Sequence, residues 1–418
     1  MFKETKKCLI CGNESLVPIL NLGMQALTGV FPKKKNMPIG KGPLELVKCK
    51  EDYSGKYCGL VQLRHIYNAN DLYGETYGYR SGLNRSMVEH LHHKVKMILR
   101  KVTLKPRDMV IDIGSNDSTL LQFYPNKKIT LVGIDPLAGR MRKYYPAHIH
   151  LITDFFSKEA LEKRFGHKKA KIITSIAMFY DLESPFTFMQ QVYELLADDG
   201  VWVFEQSYMP TMLSMNSYDT VCHEHLEYYR LKQIKWMTDR AGFKIIDVKF
   251  NNINGGSFSV MVAKQNSSYR EAKALIKRIL TSEAKKKLHT LTPYQTFRKK
   301  VAKHKKRFQA QIQKLNKSGK KVLGYGASTK GNVILQYCNL RKKDIPFIAE
   351  VNPDKFGAYT PGTLIPIISE QEARAMKPDY FVVLPWHFKN NIIAREREFL
   401  RKGGKLLFPL PYPKVVKS

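Results

Sequence analysis

The stretch Val110-Ile111-Asp112-Ile113-Gly114-Ser115-Asn116-Asp117-Ser118-Thr119-Leu120-Leu121 decides the fold of this chain. Apolar residues run up to Asp112, a glycine turn follows, and a polar run then opens onto Leu120 and Leu121. That order predicts strand, tight turn and helix, the corner at which an open α/β sheet receives a nucleotide. Gly114 lets the backbone turn where a Cβ would clash, and small residues after it let a ligand approach the main chain. Ser115, Asn116 and Asp117 are suited to cap the helix expected there. The spacing G-x-G-x-x-G is missing, so the dinucleotide fingerprint is absent.

The next two strands narrow the ligand. Ile129-Thr130-Leu131-Val132-Gly133-Ile134 ends in Asp135, a carboxylate placed to accept both ribose hydroxyls of an adenosine. Leu151-Ile152-Thr153 ends in Asp154-Phe155-Phe156, an acceptor for an adenine amino group beside two aromatic faces. A fourth strand, Lys171 to Met178, and a fifth, Gly200 to Gln206, point into the same cleft. Three such strand tips resemble a class I S-adenosylmethionine methyltransferase, an α/β fold built on a Rossmann-like sheet. Asp112, Gly114, Asn116, Asp117, Asp135, Asp154, Phe155 and Gln206 are the predicted cofactor contacts.

The 418 residues allow two or three domains, each with its own core. No apolar run approaches the roughly 18 residues of a spanning helix, and the start lacks a secretory h-region. A cytoplasmic protein without membrane contact is expected, as a monomer or dimer. The formal charge of +34 raises the question of nucleic acid. Between Tyr269 and Lys321 there are 18 Lys or Arg against Glu271 and Glu283. The same segment carries Phe297, Val301, His304, Phe308, Ile312 and Leu315 at helical spacing, so it reads as an amphipathic helix with a solvated basic face. No specific nucleic-acid partner is expected. The alternative is a zinc-ribbon RNA-binding or RNA-methylating protein.

Cys8-Leu9-Ile10-Cys11-Gly12 is a knuckle, and Cys49 and Cys58 add two more thiolates, with eight residues between them. Four soft ligands in a reducing compartment predict a structural zinc held by Cys8, Cys11, Cys49 and Cys58. Downstream, Tyr73-Gly74-Glu75-Thr76-Tyr77-Gly78-Tyr79 fits neither core period and suits a loop laid against a polar ligand. Beyond the fifth strand lies Cys222-His223-Glu224-His225-Leu226-Glu227-Tyr228-Tyr229. An imidazole is the best protein base near neutral pH, and a carboxylate beside it can orient it. Asn254-Gly255-Gly256-Ser257-Phe258 then makes a tight polar turn.

The knuckle, Tyr77-Gly78-Tyr79-Arg80-Ser81-Gly82, the Asp112–Asp117 turn, the His-Glu-His segment and the Asn-Gly-Gly turn occur in one order across the chain. Together they resemble the S-adenosylmethionine-dependent C-methyltransferases of nucleotide-linked 4-keto-deoxysugars. The resemblance implies a zinc-binding domain (1–80), a methyltransferase domain (81–265) and a C-terminal region (266–418). That last region would combine the basic helical segment with a Rossmann-like domain that binds the nucleotide sugar. The implied reaction is methylation at C-3 of a 4-keto-6-deoxysugar through an enolate. His225 is the expected base, Glu224 its orienting partner, and His223 or Tyr79 a holder of sugar oxygens.

The last region carries its own signature. Lys321 to Asn332 reads as strand, glycine turn and helix, with Ser328, Lys330 and Asn332 placed to bind a diphosphate. Trp386 and His387 follow a later strand, where a base would stack. Tyr77 and Asn254 complete the expected substrate contacts.

Overall fold

The computed structural model describes residues 2–52, 54–72, 79–125 and 128–417. Three larger sheets follow one another along the chain, with a two-stranded one, Phe2–Glu4 against His65–Tyr67, beside the first. In the first, Lys41–Cys49 runs antiparallel between Leu16–Ala26 and Val61–Leu63. Leu44 and Leu46 point into a core with Leu20, Leu22 and Leu63. The edge of this sheet is completed from far away in sequence: Glu227–Tyr228 pairs with Val61 and Gln62. The catalytic candidates at 223–225 therefore sit immediately before a strand that belongs to the N-terminal sheet.

The central sheet has seven strands in the order Phe243–Asn251, Ser257–Lys264, Leu196–Ser207, Ala170–Ile176, Met109–Ile113, Thr130–Ile134 and Ile149–Ile152. Only Ser257–Lys264 opposes its neighbours. Met109–Ile113 lies inside the sheet, between Ala170–Ile176 and Thr130–Ile134, with all five residues buried, because its Met, Val and Ile side chains meet core on both faces. The chain order reverses between Met109–Ile113 and Ala170–Ile176, and a crevice opens at the carboxyl ends of such strands. This is the class I methyltransferase sheet.

The decisive turn differs from expectation in one respect. No α-helix opens after Gly114; a single 3-10 turn, Leu121–Phe123, stands in its place. Gly114, Asn116 and Ser118 all take left-handed φ values, of 72°, 50° and 63°. Alternating left-handed residues cannot propagate a right-handed helix. The polar side chains that suggested a cap instead tie the turn to its neighbours: Asn116 accepts the Ser81 N–H at 2.9 Å, Asp117 the Gly82 N–H at 2.8 Å, and Ser115 meets the Tyr145 hydroxyl at 2.8 Å.

The basic segment forms two helices, Lys273–Lys285 and Thr292–Lys317. The predicted stripe is buried at Phe297, Val301, His304, Phe308 and Ile312, with Leu315 packed at its edge. It leads into a six-stranded sheet in the order Ile367–Ser369, Ile348–Glu350, Val322–Tyr325, Tyr380–Val383, Lys405–Phe408 and Lys414–Val416, parallel except for the last. The helix Thr329–Tyr337 packs on the N-terminal sheet, where Gln336 exchanges hydrogen bonds with both main-chain groups of Ala26. Among the described residues no helix is long and apolar enough to cross a membrane.

Candidate active site

A cavity of about 470 Å³ occupies the crevice at the strand tips, a size suited to a small molecule. Asp112, Gly114, Asn116, Asp135, Phe155 and Gln206 all face it, as the sequence led one to expect. Asp135 accepts the N–H of Asn116 at 2.9 Å and of Leu137 at 2.7 Å, which fixes its carboxylate at the end of Thr130–Ile134. Burial raises Asp135 above the usual carboxylate range despite these bonds. Burial pushes Asp112 up to about 7, opposed by the Thr174 hydroxyl at 2.6 Å.

Two observations test whether S-adenosylmethionine fits. Gln206 is buried against the cavity with neither its amide oxygen nor its nitrogen partnered, a cost of about 1–3 kcal/mol per group unless a ligand meets it. Phe155 stays 49% exposed on the wall beside Phe156, an apolar face without a cover of its own. A ribose acceptor, a flat apolar wall and an unmatched amide are what an adenosine with an amino-acid tail requires.

Two predicted contacts lie off this wall. Asp154 is exposed and accepts the Phe155 N–H at 2.7 Å. Asp117 turns the other way, holding the Gly82 N–H at 2.8 Å and the Thr119 hydroxyl at 2.5 Å. It buttresses the loop that carries Tyr79, which stands half exposed at the cavity rim. Tyr77 and the glycine-tyrosine loop before it lie outside the described residues.

The wall also contains Glu205, which was missed in the sequence. Its carboxylate accepts from His90 at 2.6 Å, Lys94 at 2.5 Å and Asn251 at 2.9 Å. Burial opposes its charge, but these partners prevail and hold it down to about 2. The i, i+4 spacing of His90 and Lys94 was the available signal, and it needed a tertiary partner to be read.

Within the 216–229 segment, His225 lies against the cavity wall. Its ring lies 4.3 Å from that of Tyr180 on the cavity wall, and its Nδ1 is 2.9 Å from the Thr220 carbonyl. A carbonyl only accepts, so Nδ1 bears the proton and Nε2 keeps a lone pair. Burial, and then the Lys330 ammonium, lower His225 to about 3, so the ring is neutral.

The expected orienting carboxylate is corrected: Thr220, not Glu224, holds His225. Glu224 accepts from the Thr28 hydroxyl at 3.4 Å, and its other oxygen lies against Gly29, where a Cβ would come within 2.2 Å. That second oxygen has no partner. His223 is corrected too. Residues 222–225 form a tight turn, closed by the His225 N–H on the Cys222 carbonyl at 3.2 Å, and in it His223 packs into the N-terminal sheet, edge-on to Tyr67 with Nε2 3.4 Å from the Gly42 carbonyl. It is fully buried and cannot reach a sugar in the cavity.

Of the C-terminal candidates, several are spent within the protein. Ser328 caps its helix by accepting the Gly331 N–H. Asn332 donates to the Thr28 carbonyl at 2.8 Å. Trp386 is buried, donates to Asp219 at 2.7 Å and packs by Gly255, so it offers no open face for a base. Lys330 instead crosses to the central domain and donates to the Asn254 carbonyl at 2.8 Å. Asn254 takes a left-handed φ of 54° and faces the cavity. His387, near Lys330, keeps its Nδ1 unpartnered.

The cysteines assemble as expected. The four Sγ atoms lie within 4.8 Å of one another, with Cys8 and Cys58 at 3.5 Å and Cys11 and Cys49 at 3.6 Å. Sulfurs around a tetrahedral zinc, each about 2.3 Å from the metal, stand roughly 3.8 Å apart. The long Cys49–Cys58 gap is tolerated because Cys49 closes onto Leu60 by a 2.8 Å main-chain bond, and because Gly59 takes a φ of 71° after Cys58, as Gly12 does (70°) after Cys11. The Cys58 N–H also points at the Cys11 sulfur. The cluster fits a structural zinc with no open position.

Three family models match in succession: a zinc binding domain over 8–73, a methyltransferase domain over 85–248 and a C-methyltransferase C-terminal domain over 252–411. The C-methyltransferase NovU of Streptomyces niveus is 28% identical over 99% of this chain and 97% of its own. Solved structures overlap less. The Haloferax volcanii methyltransferase complex with its Trm112 activator covers 44% of this chain and 94% of its own, at 15% identity and a TM-score of 0.36. The cyclopropane synthase MmaA2 of Mycobacterium tuberculosis covers 45% and 90%, at 13% identity and a TM-score of 0.34.

Proposed function

Because the chain belongs to the S-adenosylmethionine-dependent C-methyltransferases, built with a zinc-binding domain ahead of the catalytic one, we propose that its acceptor is a nucleotide-linked 4-keto-6-deoxysugar, methylated at C-3 with His225 as the base. The observation that carries the reading is the ring of His225, neutral, locked through Nδ1 and set against a cavity residue. A hydrogen on the carbon next to a ketone is acidic enough for such a base, and the carbanion so formed is stabilised as an enolate. S-adenosylmethionine, when bound, supplies a methyl group already activated on a sulfonium.

The residues divide the work. Asp135, Asn116, Phe155 and Gln206 hold the cofactor; Asn254, Lys330, His387 and Tyr79 surround the sugar; the Thr220 carbonyl keeps the His225 lone pair on Nε2. A base near 3 is weak for this task. Burial is the first cause of that low value and the Lys330 ammonium the second, and negative charge developing on the substrate beside Lys330 as the proton leaves offsets the second.

The test is a panel of dTDP-, UDP- and GDP-linked 4-keto-6-deoxyhexoses, with methyl transfer followed by mass spectrometry. His225→Ala is expected to keep cofactor affinity and to lose about 10²–10⁴ in rate. Undiminished transfer by that variant would remove His225 from the base role. An inert wild type across the panel would remove the sugar.

A further inference from the structure

In the sequence Lys330 follows a glycine turn and looks like a diphosphate ligand. The structure gives that turn a different occupant. The Glu350 carboxylate accepts the N–H of Ala327 at 2.7 Å, of Val351 at 2.8 Å and of Asn352 at 2.9 Å. A protein anion already fills the turn, so a diphosphate there would meet repulsion. Lys330 leaves the turn and reaches Asn254 on the cavity wall.

Its surroundings there are specific. An ammonium has three protons, and among the described residues Lys330 donates only to the Asn254 carbonyl. Asp219 lies close enough to favour the charge, with one oxygen held by Trp386 and the other unpartnered. Asp219 belongs to the 3-10 turn Tyr218–Thr220, and Thr220 of the same turn supplies the carbonyl that locks His225. One short turn therefore fixes the base and gathers the cation beside it.

We infer that Lys330 is a catalytic residue whose ammonium receives the negative charge developing on the sugar carbonyl oxygen, an assignment that rests on the 4-keto acceptor proposed above. His225 Nε2 forms a bond to the C-3 proton. The C–H electron pair becomes the C-3/C-4 double bond, and the carbonyl π pair moves onto the oxygen beside Lys330. On methyl transfer that pair returns to re-form the carbonyl, the C-3/C-4 pair forms the new carbon–carbon bond, and the broken carbon–sulfur bond leaves its electrons on sulfur. Donors aimed at a developing oxyanion commonly contribute about 10²–10³ in rate.

The experiment compares Lys330→Met and Lys330→Arg in the full-length, zinc-loaded protein, using the active member of the 4-keto sugar panel. Exchange of the C-3 proton for deuterium is read with S-adenosylhomocysteine present, alongside kcat and KM for methyl transfer. Lys330→Met is expected to lower both exchange and kcat by about 10²–10³ while sugar KM moves less than about tenfold, and Lys330→Arg to restore part of the loss. A KM raised more than about tenfold with kcat preserved would make Lys330 a phosphate contact and overturn the inference. If Lys330→Met does not fold, Lys330→Gln carries the same comparison. A wild type inert on every panel member defeats the acceptor reading and this inference together. An active wild type with an unimpaired Lys330→Met defeats this inference alone.

Discussion

Glu205→Gln removes the buried charge to which His90, Lys94 and Asn251 all point. The ionised form of Glu205 is favoured from an ordinary value of 4.5 down to about 2, and at about 1.36 kcal/mol per tenfold change in proton affinity its setting is worth about 3 kcal/mol. Breaking a buried ion pair by removing one partner costs about 3–5 kcal/mol by an independent route, so the two agree. The loss should appear in urea unfolding followed by tryptophan fluorescence, since Trp202 shares the strand with Glu205. The pH dependence has a definite sign. A carboxylate depressed in the folded state contributes fully above its unfolded value of about 4.5 and loses that contribution as pH falls toward 2. The wild type should weaken across that window, and the Gln variant should lack that part of the acid limb. A cost below about 1 kcal/mol, the level of an exposed pair, with an unchanged acid limb would refute the argument.

Purified protein should carry about one zinc per chain, and Cys11→Ser should lower both metal content and melting temperature; metal analysis showing none in stable wild-type protein would remove the site. Asp135→Ala should weaken S-adenosylmethionine binding by about 1–3 kcal/mol in calorimetry, because the ribose hydroxyls lose an acceptor while Asn116 and Leu137 lose theirs. Unchanged affinity would place the ribose elsewhere.

What could be read from sequence was what depends on local pattern. Strand runs ending in Asp112, Asp135 and Phe155 set those side chains on one sheet edge, because strands in a parallel sheet deliver their tips to one side. The cysteine knuckle was readable for a similar reason, since two thiolates three residues apart share one turn. The Gly114 turn misled because Ser115, Asn116 and Asp117 suit a helix cap and an irregular turn equally well, and the left-handed backbone at Asn116 and Ser118 selects the turn. The direction of His223, the pairing of Glu205 with a helix, and the reach of Lys330 to Asn254 all depend on contacts between distant segments. Ser328, Asn332 and Trp386 had suitable chemistry, and packing against Gly331, Thr28 and Asp219 used it up.

The edge strand Glu227–Tyr228 bears on how the chain is made. A ribosome delivers Val61–Leu63 long before it delivers the strand that completes their sheet, so the first region waits through synthesis with an open edge that invites wrong partners. The cysteines can gather early, while the residues that place His225 assemble only once most of the second region has emerged. Neither region can then be exchanged with a relative's as a block: a graft ending near residue 80 would keep its metal and lose the seam that aligns the base.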